Sequence, residues 1–236
     1  MPTSASVVPN LRLERQLWNE GVPWVAGIDE AGRGAWAGPV VAAAVVLPPR
    51  TRIPFALRAV RDSKMLTPLQ REKLIEPIRA AASYVGVGIV PVELIDTLGL
   101  AWAGQLAFWR AVKDLGQEPS YLLVDGFPLW SPSYPQKAIV RGDQTVLSIA
   151  AASVVAKVTR DRMMKELEDG CPAYGFARHK GYGSRSHQAA LGALGPSVHH
   201  RRSFAPIAQL LGYGDGDADR LYAVGFRIEI EAVEDE

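Results

Sequence analysis

The sequence has a single cysteine, Cys171, among its 236 residues, so no disulfide can form within the chain. Hydrophobic residues make up 48% of it, but proline, glycine and charged residues interrupt them before any run reaches the roughly 18 residues of a membrane-spanning helix. Residues 1–10 lack the basic and then apolar order of a secretion signal. These absences argue against a disulfide-stapled scaffold and a membrane protein, and they predict a cytoplasmic location.

Only four histidines are present, and their spacing is not that of a zinc site. His179 and His187 have no cysteine between them, and His199 is adjacent to His200. The chain contains no Gly-x-Ser-x-Gly segment, so the sequence does not indicate a serine nucleophile. We therefore interpret the histidines as phosphate contacts or loop residues.

An apolar run at residues 25–28 ends in two adjacent carboxylates, Asp29 and Glu30, which Gly32-Arg33-Gly34 follows closely. Neighbouring acids at a strand end repel each other and lose solvation, so a fold that gathers them usually supplies a cation, and oxygen ligands suit Mg²⁺ or Mn²⁺. Glycines permit close backbone approach, and arginine offers a planar donor group for phosphate. The combination suggests phosphodiester chemistry, with a solvated acidic turn as the alternative.

Two further aspartates have similar settings. Asp125 ends the apolar run at residues 121–124, as a side chain does at the carboxyl end of a buried strand. Asp143 stands shortly before a helix rich in small residues at 148–158. Asp125 could instead cap a turn, and Asp143 could cap the helix. Four acids at the ends of apolar segments nevertheless favour a shared metal site.

Seven segments follow one another along the chain: Asp29-Glu30-Ala31-Gly32-Arg33-Gly34, Asp62-Ser63-Lys64-Met65-Leu66, Val124-Asp125-Gly126, Gly142-Asp143, 148–161, His179-Lys180-Gly181-Tyr182-Gly183 and His200-Arg201-Arg202-Ser203-Phe204. In this order they resemble bacterial ribonuclease HII, the type 2 ribonuclease H family, and the resemblance spans residues 24–206. The chain departs from the family pattern at Leu98-Gly99-Leu100, where an asparagine is usual, and at Ser184-Arg185, which replace a threonine.

The resemblance implies an α/β fold, with a ribonuclease H-like mixed β-sheet flanked by helices and a C-terminal helical and loop segment. The catalytic domain is predicted over residues 1–206, and the composition of residues 212–219 and 229–236 predicts a flexible tail over 207–236. By the same resemblance, the catalytic and metal-binding carboxylates are Asp29, Glu30, Asp125 and Asp143. The substrate-binding residues are Gly32, Arg33, Gly34, Lys64, Ser153, Lys157 and Tyr182.

The implied activity is metal-dependent hydrolysis of the RNA strand of RNA/DNA hybrids and cleavage 5′ to ribonucleotides embedded in duplex DNA. Two ions of Mg²⁺ or Mn²⁺ per site, 5′-phosphomonoester products and a monomeric enzyme belong to the same expectation. One alternative is a non-catalytic, metal-dependent nucleic-acid-binding module, and another is a metal-filled structural domain. A nicotinamide-binding loop is disfavoured because 34–38 leads into an apolar strand pattern, not a helix, and the preceding acids would repel pyrophosphate.

The net charge of +1 conceals a basic cluster, which suits a polyanion or a solvated surface. Residues 100–115 are predicted to form a helix whose aromatic residues Trp102, Phe108 and Trp109 face the core. Thr67-Pro68 predicts the start of another helix. The basic cluster comprises Arg178, His179, Lys180, Arg185, His199, His200, Arg201 and Arg202. Strands are predicted at 24–28, 39–47, 84–90, 121–125 and 138–140, and further helices at 11–20 and 145–169.

Overall fold

The computed structural model describes residues 8–50 and 52–213. This part of the chain contains both strands and helices, as the α/β pattern of the sequence predicts. The strands are β1 (Val25–Ala31), β2 (Val40–Val46), β3 (Tyr84–Val90), β4 (Tyr121–Asp125) and β5 (Gln136–Ile139). The helices are α1 (Arg12–Asn19), α2 (Pro68–Ala81), α3 (Val92–Asp114), α4 (Leu147–Gly170), α5 (Phe176–His179), α6 (Arg185–Leu194) and α7 (Ala205–Leu210).

The five strands form one mixed sheet in the order β3-β2-β1-β4-β5. Strand β1 pairs antiparallel with β2 and parallel with β4, and β4 pairs parallel with β5. Because β1 and β4 run in the same direction with Ile28 beside Val124, Asp29 and Asp125 reach the same end of the sheet. The topology thus brings together two acids that are far apart in the sequence.

Helix α4 packs closely against the sheet because small residues line the contact. Ala150, Ala151 and Ala152 are fully buried in the core that the helix shares with β2 and α2. A Cβ atom added to Gly27 of β1 would lie 2.3 Å from the carbonyl carbon of Ser148. Only glycine therefore fits beneath the start of this helix.

A buried carboxylate from α1 caps the start of α4. Oε1 of Glu14 accepts hydrogen bonds from both the backbone N–H and the hydroxyl of Ser148, each at 2.9 Å. Burial raises the pKa of Glu14, and the hydrogen bonds from Ser148 offset part of this effect. The contact fixes α1 to the helix that carries Ser153 and Lys157.

Helix α2 begins where the sequence predicts. Thr67 and Gln70 form a reciprocal capping box, with Pro68 in the first turn. These interactions are local, which explains why the sequence alone locates this boundary.

Helix α3 differs from its prediction. It begins at Val92, well before residue 100, and its geometry is interrupted at Gly99, which has φ 78° and ψ 157°. The glycine breaks the helix locally, but helical backbone continues on both sides, so Leu98-Gly99-Leu100 forms a kink. Phe108 is buried as predicted, whereas Trp102 and Trp109 are 53% and 47% exposed, so the prediction that all three face the core was wrong.

The described residues divide into two compact units. The first comprises the described parts of Met1–Ala31, Val41–Gly88 and Ala107–Val158, and the second those of Gly32–Val40, Ile89–Leu106 and Thr159–Glu236. The predicted boundary at 206 falls inside α7, where the buried Ile207 ties residues beyond the boundary to packed structure. The rest of the predicted tail, from 214 onward, lies outside the described residues.

Candidate functional site

Three aspartates meet at one end of the sheet in the first unit. Asp29 lies near the end of β1, Asp125 ends β4, and Asp143 lies in a short 3-10 turn that follows β5. One carboxylate oxygen from each lies within 4.8 Å of the others. The structure therefore brings together three of the four carboxylates that the sequence suggests.

Glu30 is not a member of this three-residue group. It follows Asp29 directly on β1, and consecutive side chains of a strand point to opposite faces. Its charge is nevertheless close enough to raise the pKa of Asp29. A role for Glu30 as a ligand stays a prediction.

The surroundings of the three carboxylates disfavour their charged forms. Burial, and then the charges of Glu30 and Asp125, raises the pKa of Asp29 well above its ordinary value. Burial also raises the pKa of Asp125, and burial with the charges of Asp125 and Asp62 raises the pKa of Asp143 to about 6. A divalent cation would relieve this repulsion, and an all-oxygen donor set fits Mg²⁺ or Mn²⁺.

Hydrogen bonds fix the orientation of two of these acids. Oδ1 of Asp125 accepts the backbone N–H of Gly142 at 2.6 Å, and Oδ1 of Asp29 accepts that of Glu30 at 2.7 Å. The hydroxyl of Ser153 also hydrogen bonds to Asp29 and lies 2.9 Å from the hydroxyl of Ser63. Ser153 is buried, and its hydroxyl contacts Asp29 and Ser63.

Asp62 is a further acid beside the three aspartates, and it is absent from the site residues predicted from the sequence. Its Oδ1 accepts the backbone N–H of Lys64 at 2.9 Å, and its Oδ2 lies 3.4 Å from the side-chain nitrogen of Gln144. Its position within the Asp62-Ser63-Lys64 motif is the signal that could have identified it. Nζ of Lys64 lies 3.9 Å from Oδ2 of Asp143, and Lys157 lies one helical turn beyond Ser153 on α4.

The remaining predicted substrate residues belong to the second unit. Gly32 has φ +95°, and a Cβ atom there would lie 2.0 Å from Nε of Arg160, so the fold itself requires glycine. A Cβ atom at Gly34 would meet no atom within 4 Å. Tyr182 is 39% exposed, and its ring centroid lies 5.5 Å from the guanidinium carbon of Arg160.

Two buried arginines hold the loop that contains Gly32-Arg33-Gly34. Arg160 donates to the carbonyls of Ala37, Pro39 and Lys180 at 2.8 to 3.0 Å. Arg201 donates to the carbonyls of Arg33, Gly38 and Pro39 at 2.8 to 3.1 Å. Arg201 belongs to the basic cluster predicted to suit a polyanion or a solvated surface, and for this residue the prediction was wrong because its side chain is fully buried.

A family model described as Ribonuclease HII matches residues 26–207. The chain belongs to the ribonuclease HII family. It is 50% identical over 206 residues to the ribonuclease HII of Chloroflexus aurantiacus, covering 87% of this chain and 97% of that relative. It is 49% identical over 201 residues to the ribonuclease HII of Geobacillus kaustophilus, covering 85% of this chain and 75% of that relative.

Solved structures of related proteins show the same fold. The ribonuclease H2 of Pyrococcus horikoshii superposes with a TM-score of 0.65 at 26% identity, covering 84% of this chain and 98% of that one. The RNase HII of Archaeoglobus fulgidus, solved in complex with PCNA, gives 0.63 at 26% identity, covering 82% and 99%. A Bst-RNase HIII in complex with Mn²⁺ gives 0.62 at 18% identity, covering 81% and 70%, which bears on the fold alone. The predicted ribonuclease H-like α/β fold is confirmed.

The histidines of this family member differ from their prediction. His187 and His200 are buried, and their Nε2 atoms lie 2.9 Å apart. His187 lies within α6 and is not a loop residue, whereas His200 lies in the loop between α6 and α7, and the burial of both side chains does not fit a contact with phosphate. Their burial comes from elements that are separate in the sequence, so no local pattern reveals it.

Among the described residues, no helix has both the length and the apolar character needed to cross a membrane.

Proposed function

We propose that this chain is a metal-dependent endoribonuclease that hydrolyses the RNA strand of RNA/DNA hybrids and cleaves 5′ to ribonucleotides embedded in duplex DNA. The observation that carries the proposal is the group of Asp29, Asp125 and Asp143 within 4.8 Å of one another, in a member of the ribonuclease HII family. Membership gives the reaction class, and the aspartates provide the charge that this reaction requires.

Asp29, Asp125 and Asp143, together with Glu30, are the proposed ligands for two ions of Mg²⁺ or Mn²⁺. When bound, such ions supply stabilisation of the negative charge on the attacking and leaving oxygens of a phosphodiester. The backbone N–H of Gly142 and the hydroxyl of Ser153 keep two of the carboxylates oriented before metal and substrate arrive.

Cationic side chains close to the aspartates are proposed to bind substrate phosphates. Lys64 is suited to this role because its side chain is exposed while its ammonium group stays near Asp143. Lys157 is proposed as a second contact, since it follows Ser153 by one turn on α4. Ser153 is proposed to contribute to substrate binding indirectly, through Asp29.

Recognition of the ribose is assigned to the second unit. The open space around Gly34 leaves its backbone accessible to a 2′-hydroxyl, and Arg33 offers a planar donor group for the neighbouring phosphate. The partly exposed ring of Tyr182 is proposed to pack against the sugar at the ribose-to-deoxyribose junction. Arg160 supports both features because it lies against Gly32 and under Tyr182.

The test is incubation of the purified chain with a DNA duplex that carries one ribonucleotide, in Mg²⁺, in Mn²⁺ and in EDTA. We expect one cut 5′ to the ribonucleotide, a 5′-phosphate on the product, and no cut in EDTA or in the all-DNA duplex. Gel filtration of the chain at the protein concentration of the cleavage assay tests whether the enzyme is monomeric, as proposed. Metal-dependent binding of the duplex without any cleavage would support the alternative, a non-catalytic binding module.

A further inference from the structure

Three histidines of the second unit are linked beside Tyr182 by hydrogen bonds and ring stacking. His179 bonds through Nε2 to the carbonyl of Tyr174 at 2.7 Å, and its Nδ1 accepts the backbone N–H of Gly181 at 3.2 Å. Nδ1 of His187 lies 3.0 Å from the carbonyl of Tyr182. His187 in turn bonds to His200, and the ring of His187 stacks on that of His179 with centroids 4.3 Å apart.

The partners determine which nitrogen of each ring carries the proton. Carbonyls only accept, so Nε2 of His179 and Nδ1 of His187 are donors. Nδ1 of His200 accepts the backbone N–H of Ser197 at 2.9 Å, so its proton resides on Nε2. That proton is donated to the free lone pair on Nε2 of His187, and each of the three rings is neutral.

The network holds the backbone on both sides of the Tyr182 α-carbon. His179 receives the N–H of Gly181 on one side, and its own carbonyl accepts the N–H of Tyr182 at 3.0 Å. His187 donates to the carbonyl of Tyr182 on the other side. The carbonyl of Gly181 accepts the N–H of Trp36 at 2.8 Å, which connects this turn to the loop that contains Gly34.

We propose that His179, His187 and His200 are positioning residues that fix the Tyr182 turn against the Gly34 loop for recognition of the ribose-to-deoxyribose junction. The proposal rests on the proposed function, because Tyr182 matters only if this site binds such a junction. The backbone of His200 forms an isolated bridge with Ala37, but in the contacts above its side chain bonds neither to Tyr182 nor to that loop. It acts through His187, which it keeps oriented and neutral.

Burial and charge support neutral rings. Burial lowers the pKa of His187 and, more strongly, that of His200, to about 4. The charged or titratable neighbours that act on His200 are His187, His199 and His179, and each opposes a positive charge there. A proton added to Nε2 of His187 would face the N–H of His200 across 2.9 Å, and a proton added to Nδ1 of His200 would face the backbone N–H of Ser197 across 2.9 Å.

The experiment compares His200→Leu with His200→Gln. Leucine removes every hydrogen bond of the side chain, whereas the glutamine amide can place a donor near the position of Nε2. The readout is the ratio of kcat/KM on a duplex with one ribonucleotide to kcat/KM on a continuous RNA/DNA hybrid. The fraction of folded enzyme cancels in this ratio, so a variant that merely loses stability does not change it.

We expect His200→Leu to lower the ratio about tenfold, since misplacing a binding group by a fraction of an ångström is costly, and His200→Gln to lower it much less. His199→Gln is the matched control, because that neighbouring histidine has no side-chain link in the network described above. Adding His200→Leu to a Tyr182→Ala enzyme is expected to cause no further fall in the ratio.

The outcomes distinguish failure of the positioning role from failure of the proposed function. If Tyr182→Ala lowers the ratio and His200→Leu does not, the positioning role is overturned and the proposed function stands. If His200→Leu lowers the ratio equally with and without Tyr182, the histidines do not act through the tyrosine, and the proposal is also overturned. If Tyr182→Ala leaves the ratio unchanged, the junction role of Tyr182 fails together with this inference.

Discussion

The ammonium nitrogen of Lys64 lies 3.9 Å from Oδ2 of Asp143, although the lysine side chain is 81% exposed and that of the aspartate only 4%. Desolvation would lower the pKa of Lys64, but the charges of Asp62 and Asp143 outweigh it and raise that pKa. The lysine is therefore charged, and solvent can reach it.

Replacing Lys64 with methionine is expected to weaken substrate binding more than folding. An exposed ion pair contributes about 1 kcal/mol or less to stability, whereas loss of a phosphate contact raises KM, here by about tenfold. Steady-state kinetics and thermal unfolding measure the two effects. Lys73→Met, at an exposed position of α2, is the control. An unchanged KM for Lys64→Met would remove the lysine from the binding site.

Replacing Asp29 or Asp125 with asparagine is expected to abolish most activity while preserving the fold. The amide keeps the shape but lacks the charge that binds a divalent ion, so kcat/KM should fall about a hundredfold or more. In EDTA the melting temperature should stay the same or rise, because burial raises the pKa of both carboxyl groups and the neutral amide avoids that cost. Glu30→Gln is expected to behave like Asp29→Asn, whereas excess Mn²⁺ should partly restore Asp143→Asn.

The control for these variants is Asp114→Asn, which changes an acid of α3 that accepts the backbone N–H of Val87. Near-normal cleavage by Asp29→Asn or Asp125→Asn would contradict the metal site.

Gly34→Ala and Gly32→Ala should both lower activity, but for different reasons. A Cβ atom at Gly34 meets no atom of the protein within 4 Å, so Gly34→Ala should fold normally and lose activity only where the substrate needs that space. Gly32→Ala should also lose stability, because its Cβ atom clashes with Arg160 at a positive φ. Melting temperatures and cleavage of the single-ribonucleotide duplex distinguish them. A Gly34→Ala enzyme with full activity would show that no sugar approaches this backbone.

The buried histidines predict a loss of stability in acid. The pKa of His200 is about 4 in the folded chain and near 6.5 when it is unfolded, so the unfolded state binds more protons between these values. Its contribution to the free energy of unfolding is complete above pH 6.5 and falls by at most about 1.4 kcal/mol per pH unit toward pH 4.

The contribution of the buried aspartates to the free energy of unfolding depends on pH in the opposite direction, because raised carboxyl pKa values favour the folded state at low pH. Denaturant unfolding of the wild type and of His200→Gln at matched pH values removes this common background. The stability of the wild type should fall more steeply between pH 6.5 and 4. Parallel curves would contradict the neutral, buried state assigned to His200.

Leucine at Ala151 is expected to destabilise the protein by about 1 to 3 kcal/mol through overpacking. The residue is fully buried on α4, in the core next to β2. Gly192→Ala is the matched control: it adds a methyl group on α6, where no atom lies within 4 Å, and should be neutral or slightly stabilising. Chemical denaturation provides both values. A cost below the error of the measurement would show that α4 can move away from its neighbours.

Local interactions determine those parts of the structure that the sequence specifies by itself. The start of α2 follows from Thr67, Pro68 and Gln70, which interact within one turn. Apolar runs that end in Asp29 and Asp125 indicate strands that deliver acids to an edge, because the period of a strand and its buried face depend on neighbouring residues. The family pattern then adds the reaction class.

The tertiary structure decided which charged and polar residues are buried. The sequence pattern places Arg201 in a basic cluster, yet its buried guanidinium donates to the carbonyl of Arg33, 168 residues away. The sequence favours phosphate contacts or loop residues for His187 and His200, yet their side chains hydrogen bond to each other in the interior. Asp62 joins the acids of the sheet edge, while Glu30 lies outside their closest group. Burial and pairing arise from elements that meet only when the chain folds, so no local pattern in the sequence carries them.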